Sequence, residues 1–169
     1  EKTGEALKDV RFDLCFSSPL ARARKTAELI LDGQAREVPV IEDKRIQEID
    51  FGELEGVICF NDAHEYLNPE MEKFFTDPWK FKRPKHGENI ADILARTKDF
   101  WDEKIHDPSL LNKTILIASH GCAVRALLQN VYQDPENFWH GCVPPNCSVN
   151  VVEVKNGQAV LLEEDKVYA

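Results

Sequence analysis

Two stretches of this sequence put cations and an imidazole where a phosphate-sized anion could be held. The first, Ser17-Ser18-Pro19-Leu20-Ala21-Arg22-Ala23-Arg24, follows a short apolar run and carries Arg22 and Arg24 on the first turn and a half of an expected helix. The second, Ser119-His120-Gly121-Cys122, follows a β-branched apolar run and sets His120 at a strand-to-helix corner, where Gly121 allows close backbone approach. An arginine fork, an imidazole and the free amides of a helix N-terminus together make a phosphate-binding set. A third residue, Glu48, lies in a loop long enough to fold over the same edge, and a carboxyl kept protonated by burial can act as a general acid. Each residue also has an ordinary structural use: a solvated arginine, a hydrogen-bonded core histidine, a solvated loop glutamate. What favours a site is that two corners of the same kind occur in one chain.

For these residues to meet, the chain between them must form an open α/β sheet, in which ligands bind beyond the carboxyl ends of the strands. The pattern predicts one. Residues 13–17 read as a strand ended by Ser18-Pro19, and 20–31 as a helix with apolar positions Leu20, Ala23, Ala27, Ile30 and Leu31. Ser18 suits the N-cap, Pro19 the first helical position and Gly33 the stop. Residues 38–41 read as a second strand, 42–61 as loop broken by Gly52 and Gly56, and 62–75 as weakly helical. Residues 88–106 carry Ile90, Ile93, Leu94, Phe100, Trp101 and Ile105 mostly on one face, an amphipathic helix that stops near Pro108. Residues 114–118 (Thr-Ile-Leu-Ile-Ala) read as a strand covered on both faces, followed by a helix over 123–131. Asn156-Gly157 separates strands 148–154 and 159–162 as an antiparallel hairpin. The expected architecture is a three-layer α/β sandwich: a mostly parallel central sheet, helices on both faces, and a C-terminal antiparallel hairpin.

Composition narrows the function classes. The 169 residues suffice for one domain with a proper core, and 43% hydrophobic with 30% charged residues excludes disorder as the main state. With 30 acidic against 21 basic residues and a net charge of −9, no basic block is present for nucleic acid. No apolar run approaches the roughly 18 residues that span a bilayer, and the charged start has no signal-peptide core. A soluble cytoplasmic protein with no membrane partner is expected. Five cysteines, an odd number without a Cys-x-x-Cys pair, fit neither a disulfide framework nor a structural zinc site and suit a reducing compartment. The first residue is Glu1, the only methionine is Met71, and residues 1–12 read like the tail of a helix entering a strand.

Taken in order, the blocks resemble those of the histidine phosphatase superfamily, the phosphoglycerate mutase-like branch. They are Ser-Ser-Pro-Leu-x-Arg-Ala-x-x-Thr-Ala over 17–27, Glu-x-x-Phe-Gly-x-x-Glu-Gly over 48–56, and Gly87-Glu88 at the head of the long helix. Ser119-His120-Gly121 with Arg125 after it, and Pro145-Asn146-Cys147-Ser148 before the last hairpin, complete the series. The resemblance covers nearly the whole chain and implies two-step phosphoryl transfer on a small phosphorylated metabolite, without a metal or other cofactor. By matching position, Arg22 would clamp phosphate oxygens, His120 would stabilise charge in the transition state, and Glu48 would give a proton to the leaving oxygen. Asn146 and the amides of Gly121 and Cys122 would be further phosphate contacts, Cys122 standing where the family usually has a second glycine.

The family's nucleophile, a histidine in an Arg-His-Gly motif ending the first strand, has no counterpart here. His64, His86, His106 and His140 fall in loop or helical contexts. The resemblance therefore implies that residues 1–169 are a single phosphoglycerate mutase-like domain lacking its first strand, inactive as it stands, with the nucleophile upstream of Glu1. Phosphatase is preferred to mutase, since Glu48 is followed by Ile49, Asp50, Phe51 and a short acidic loop where the mutases carry a basic and aromatic continuation and extra inserted segments. A non-catalytic phosphate-binding module is the other class. A Cys122–His120 thiol hydrolase is a third reading, weakened because adjacent residues at a helix start point in different directions. Residues 65–86 hold Phe74, Phe75, Trp79 and Phe81 among Lys80, Lys82, Arg83 and Lys85, either a substrate-selecting lid or core aromatics with a solvated cationic rim.

Overall fold

A computed structural model describes residues 1–168. Among the described residues five α-helices and five strands follow one another, with short 3-10 turns between them: α1 (Lys2–Ala6), β1 (Leu14–Ser17), α2 (Ala21–Leu31), β2 (Val40–Glu42), α3 (Pro69–Thr76), α4 (Ile90–His106), β3 (Ile115–Ala118), α5 (Gly121–Leu128), β4 (Val149–Lys155) and β5 (Gln158–Lys166). Strands β2, β1 and β3 form a wholly parallel sheet in that order, and β4 with β5 forms a separate antiparallel hairpin.

Alternation along β1 sets the layers, because successive side chains of a strand point to opposite faces. Cys15 packs with Leu7 of the α1 end and with Ala27 and Ile30 of α2. Phe16, on the opposite face, packs with Phe100 of α4 and Leu127 of α5, its ring edge-on to Phe100 at 5.5 Å. Helices thus cover both faces, as expected. A larger cluster joins α3, α4 and α5 through Met71, Phe74, Ile90, Ile93, Ala123 and Ala126. Among the described residues no helix is long and apolar enough to cross a membrane.

Several local expectations need correction. Helix α2 starts at Ala21, not at Pro19, and the Ser18 hydroxyl accepts from the Leu20 amide (3.3 Å) in the turn ahead of it, so Ser18 shapes the entry without capping the helix. The 62–75 stretch is helical only from Pro69, where α3 (Pro69–Thr76) begins. Asn68 accepts from the Glu70 amide at 2.9 Å and so caps it, after a loop in which Phe60 bridges Tyr66. Strand β3 lies at a sheet edge and is not covered on both faces: Ile117 is 40% exposed. The hairpin is longer than read from sequence, β5 running through Glu163-Glu164-Asp165, because buried Arg125 of α5 pairs with Glu164 and Asp165. Its turn residues, Asn156 and Gly157, both have positive φ (53° and 73°), the conformation that favours Asn-Gly there.

Of the lid and core alternatives, the aromatics side with the core. Phe74 and Phe81 are 3% exposed and pack with Phe51, and Phe74 also meets Trp139. Trp79 is half exposed and donates its indole N–H to the Glu136 carbonyl (2.7 Å), while Lys80, Lys82, Arg83 and Lys85 form an exposed rim.

Candidate active site

Parallel pairing of β1 and β3 brings Ser17 opposite Ala118, so the residues that follow each strand emerge side by side. The Ser18 amide donates to the Ala118 carbonyl (2.8 Å), and two residues further on His120 reaches back to Ser18. His120 Nε2 lies 2.8 Å from the Ser18 hydroxyl, and its Nδ1 accepts from Nε of Arg22 at 3.1 Å. A ring nitrogen that receives an N–H cannot carry a proton, so the imidazole is neutral, with its hydrogen on Nε2 donated to Ser18. Burial, with the Arg22 and Arg96 charges added, pushes the pKa of His120 down to about 4.

Arg22 reaches His120 from the first turn of α2 with Nε alone; among the described residues its two Nη groups have no hydrogen-bond partner. Arg24 does not join it. Two residues along a helix is a rotation of about 200°, so Arg24 faces away and pairs with Glu42 at 2.8 Å.

Glu48 arrives from the loop after β2 and is largely buried. One carboxylate oxygen accepts from the amides of Ile49 (3.0 Å) and Ala123 (3.1 Å), the other from the amide of Cys122 (3.2 Å). The carboxylate thus sits on the N-terminus of α5, where free amides and the helix dipole favour an anion. Burial raises its pKa above the usual carboxylate value, while the three N–H donors and the Arg22 charge act the other way. A Cβ at Gly121 would crowd Val143 at 3.2 Å and come into ordinary contact with Glu48 Oε2 at 3.9 Å, so the backbone here runs close to both the 143–144 loop and the carboxylate.

Arg22, Glu48, His120 and Gly121 are therefore brought together, and the Gly121 amide has no partner among the described residues. The Cys122 amide, expected to be offered to phosphate, is given to Glu48 instead. Asn146 is exposed in the turn before β4 and makes no side-chain hydrogen bond among the described residues. The thiol reading fails, because Cys122 is 2% exposed and burial beside the Glu48 charge pushes its thiol pKa far up, away from a thiolate nucleophile.

Three residues escaped the sequence reading. Ser18 was visible only as a cap, yet it holds His120; Ser119 donates its hydroxyl to the Ile46 carbonyl (2.8 Å) and ties the Glu48 loop to the same corner. Arg96 lies beside the apolar stripe of α4, between Ile93 and Phe100, and a cation flanking a buried helix face was the available signal. A pocket of about 350 Å³ adjoins Glu48, walled by Lys44, Asp50, His86, Glu88 and Arg96.

Known proteins share the family and the fold. The model of the histidine phosphatase superfamily (branch 1) matches residues 1–165. Among curated proteins, a 2,3-bisphosphoglycerate-dependent phosphoglycerate mutase 2 of Gloeobacter violaceus is 33% identical over 132 residues, 76% of this chain and 58% of that protein. The chain spans about three fifths of the length of the mutases it matches. Among solved structures, Bacillus stearothermophilus YhfR superposes with a TM-score of 0.83 at 24% identity, covering 98% of this chain and 80% of that one. A phosphoserine phosphatase variant from Entamoeba histolytica, in complex with phosphoserine, gives 0.67 at 25% identity, covering 96% and 77%. The chain belongs to the histidine phosphatase superfamily, branch 1.

Proposed function

We propose that this chain forms the larger part of a phosphomonoester hydrolase that works through a phosphohistidine, with the nucleophilic histidine supplied by a strand upstream of Glu1. The observation that carries this reading is the contact of Arg22 Nε with His120 Nδ1 (3.1 Å), which leaves the Nη groups of Arg22 free beside the raised-pKa carboxyl of Glu48. A phosphate dianion takes those Nη groups and draws Arg22 Nε off Nδ1 of His120, which then takes a proton from solvent; the resulting imidazolium stabilises the charge on the transferring group. As the nucleophile's bond to phosphorus forms and the ester P–O bond breaks, Glu48 gives its proton to the leaving oxygen. Water, deprotonated by the Glu48 carboxylate, then attacks the phosphohistidine; phosphate leaves and Glu48 regains its proton.

Room for the upstream strand supports the same reading. Ile115, Leu116 and Ile117 of β3 form an apolar edge with no strand partner on its outer side among the described residues, and the hairpin stands in a separate sheet. A parallel strand paired there would end next to His120. Residues 1–169 alone are then inactive.

In the full-length protein, Arg22→Ala and His120→Ala should each lower kcat/KM on 4-nitrophenyl phosphate by about 10²-fold or more, the usual effect of removing one transition-state donor, and vanadate should inhibit. Unchanged rates in both variants would overturn the assignment. A phosphoglycerate mutase is the second reading, favoured by the names of the relatives at 33% identity. Interconversion of 2- and 3-phosphoglycerate dependent on 2,3-bisphosphoglycerate would select it over hydrolysis. Phosphate binding without turnover of any of these substrates would make the chain a binding module.

A further inference from the structure

The Gly87-Glu88 block has no part in the chemistry above, yet its surroundings are built with unusual completeness. Glu88 forms a two-pronged ion pair with Arg96 of α4, Nε to Oε1 at 2.7 Å and Nη2 to Oε2 at 2.8 Å. The other three N–H groups of that guanidinium all go to the backbone of the Glu48 loop: Nη1 to the carbonyls of Arg45 and Gln47 (both 2.8 Å), Nη2 to the carbonyl of Glu48 itself (3.0 Å). A guanidinium has five N–H donors, and here all five are used. The remaining carbonyl of the run, Ile46, accepts from Ser119. Every carbonyl from 45 to 48 is therefore held by a side chain from α4 or from the His120 corner.

Glu88 also grips the far side of the loop. Its carboxylate accepts from the Asp50 amide (3.0 Å), and its own amide donates to the Asp50 carbonyl (2.7 Å). Gly87 is what lets the two segments approach this closely: a Cβ there would sit 2.7 Å from the Asp50 carbonyl and 2.9 Å from the Gly52 amide. The backbone is pinned on both sides of residue 48, so the Glu48 side chain has a fixed base from which to reach the α5 amides.

We infer that Arg96, locked by Glu88, is a positioning residue that sets the location of the Glu48 carboxyl and so governs proton delivery to the leaving group. This rests on the proposed role of Glu48 as the proton donor. Neither residue touches the reacting atoms. Lysine cannot replace the arginine, because an ammonium is a point charge with three donors and no planar fork. Misplacing a general acid by an ångström costs on the order of 10² in rate.

The test compares Arg96→Lys, Glu88→Gln, Glu48→Gln and the Arg96→Lys/Glu48→Gln double variant of the full-length protein on two substrates. Phenyl phosphate has a poor leaving group that needs a proton; 4-nitrophenyl phosphate has a good one that does not. Arg96→Lys should lower kcat/KM, which reports only the transfer to the nucleophile, by about 10²-fold on phenyl phosphate, spare kcat/KM on 4-nitrophenyl phosphate to within a few fold, and add nothing to Glu48→Gln in the double variant; kcat, which also contains the water attack served by Glu48, is free to fall on both. Glu88→Gln, which keeps the guanidinium on the three carbonyls, should show a smaller split of the same kind. An equal fall in kcat/KM on both substrates, a double variant slower than Glu48→Gln, or wild-type rates in Arg96→Lys would overturn the inference. So would failure of both single variants at Arg96 and Glu88 to fold, which would make the cluster a folding element only. If Glu48→Gln itself shows no dependence on the leaving group, the role assigned to Glu48 is what fails; if it does and Arg96→Lys does not, the positioning role fails.

Discussion

The neutrality of His120 has a consequence for stability that can be measured without any substrate. In the unfolded chain a histidine titrates near 6.5; in the folded protein burial and the neighbouring arginines bring His120 down to about 4. The unfolded state therefore binds a proton first as pH falls, and stability drops from about pH 6.5 down through pH 4. Linkage puts the loss from this group at ~1 kcal/mol by pH 5.5 and ~3 kcal/mol by pH 4. Replacing the ring by His120→Gln removes that titration while costing ~1 kcal/mol at pH 7 for the hydrogen bonds to Arg22 and Ser18. The two stability curves must then cross: wild type is firmer at pH 7, and the variant by ~2 kcal/mol at pH 4. Urea unfolding of both proteins at pH 7, 5.5 and 4 measures this directly. Parallel curves over that range would refute the claim that the folded protein holds His120 neutral.

Two further outcomes follow from buried groups. Arg125 is completely buried, with its guanidinium on the Cys142 carbonyl (2.8 and 3.1 Å), Tyr132, Glu164 and Asp165; Arg125→Met should cost ~3 kcal/mol and lower Tm by roughly 6–12 °C, and a shift below about 2 °C in a thermal melt would contradict this. Cys122 should resist a thiol reagent such as 5,5′-dithiobis(2-nitrobenzoate) in the folded protein at pH 8, whereas exposed Cys142 and Cys147 react, as peptide mapping of the labelled thiols would show.

The two corners were legible in the sequence because a strand that ends in Ser-Ser-Pro or Ser-His-Gly needs only local turn chemistry to present its next residues at a sheet edge. Their adjacency was not local: it comes from the register of β1 on β3, which no short window contains. Arg24 was misjudged because proximity in sequence to Arg22 hides a rotation to another helix face. Arg96 was missed for the opposite reason, since its partners are carbonyls some fifty residues away that carry no sequence signature. The length of β5 was underestimated because three consecutive acidic residues look like a turn until the buried arginine they answer is known.

The order of the sheet also bears on how the molecule assembles. Central β1 takes β2 from 25 residues downstream, but β3 from 101 residues downstream. A pairing of such span closes late and slowly, since a long loop must lose its freedom before any contact compensates. Arg22 and His120 stand 98 residues apart and meet only when that pairing is made. A partly folded chain can hold the β1–α2–β2 unit without the Arg22–His120 contact, so under the proposed function phosphate affinity would mark the molecules in which β3 has docked.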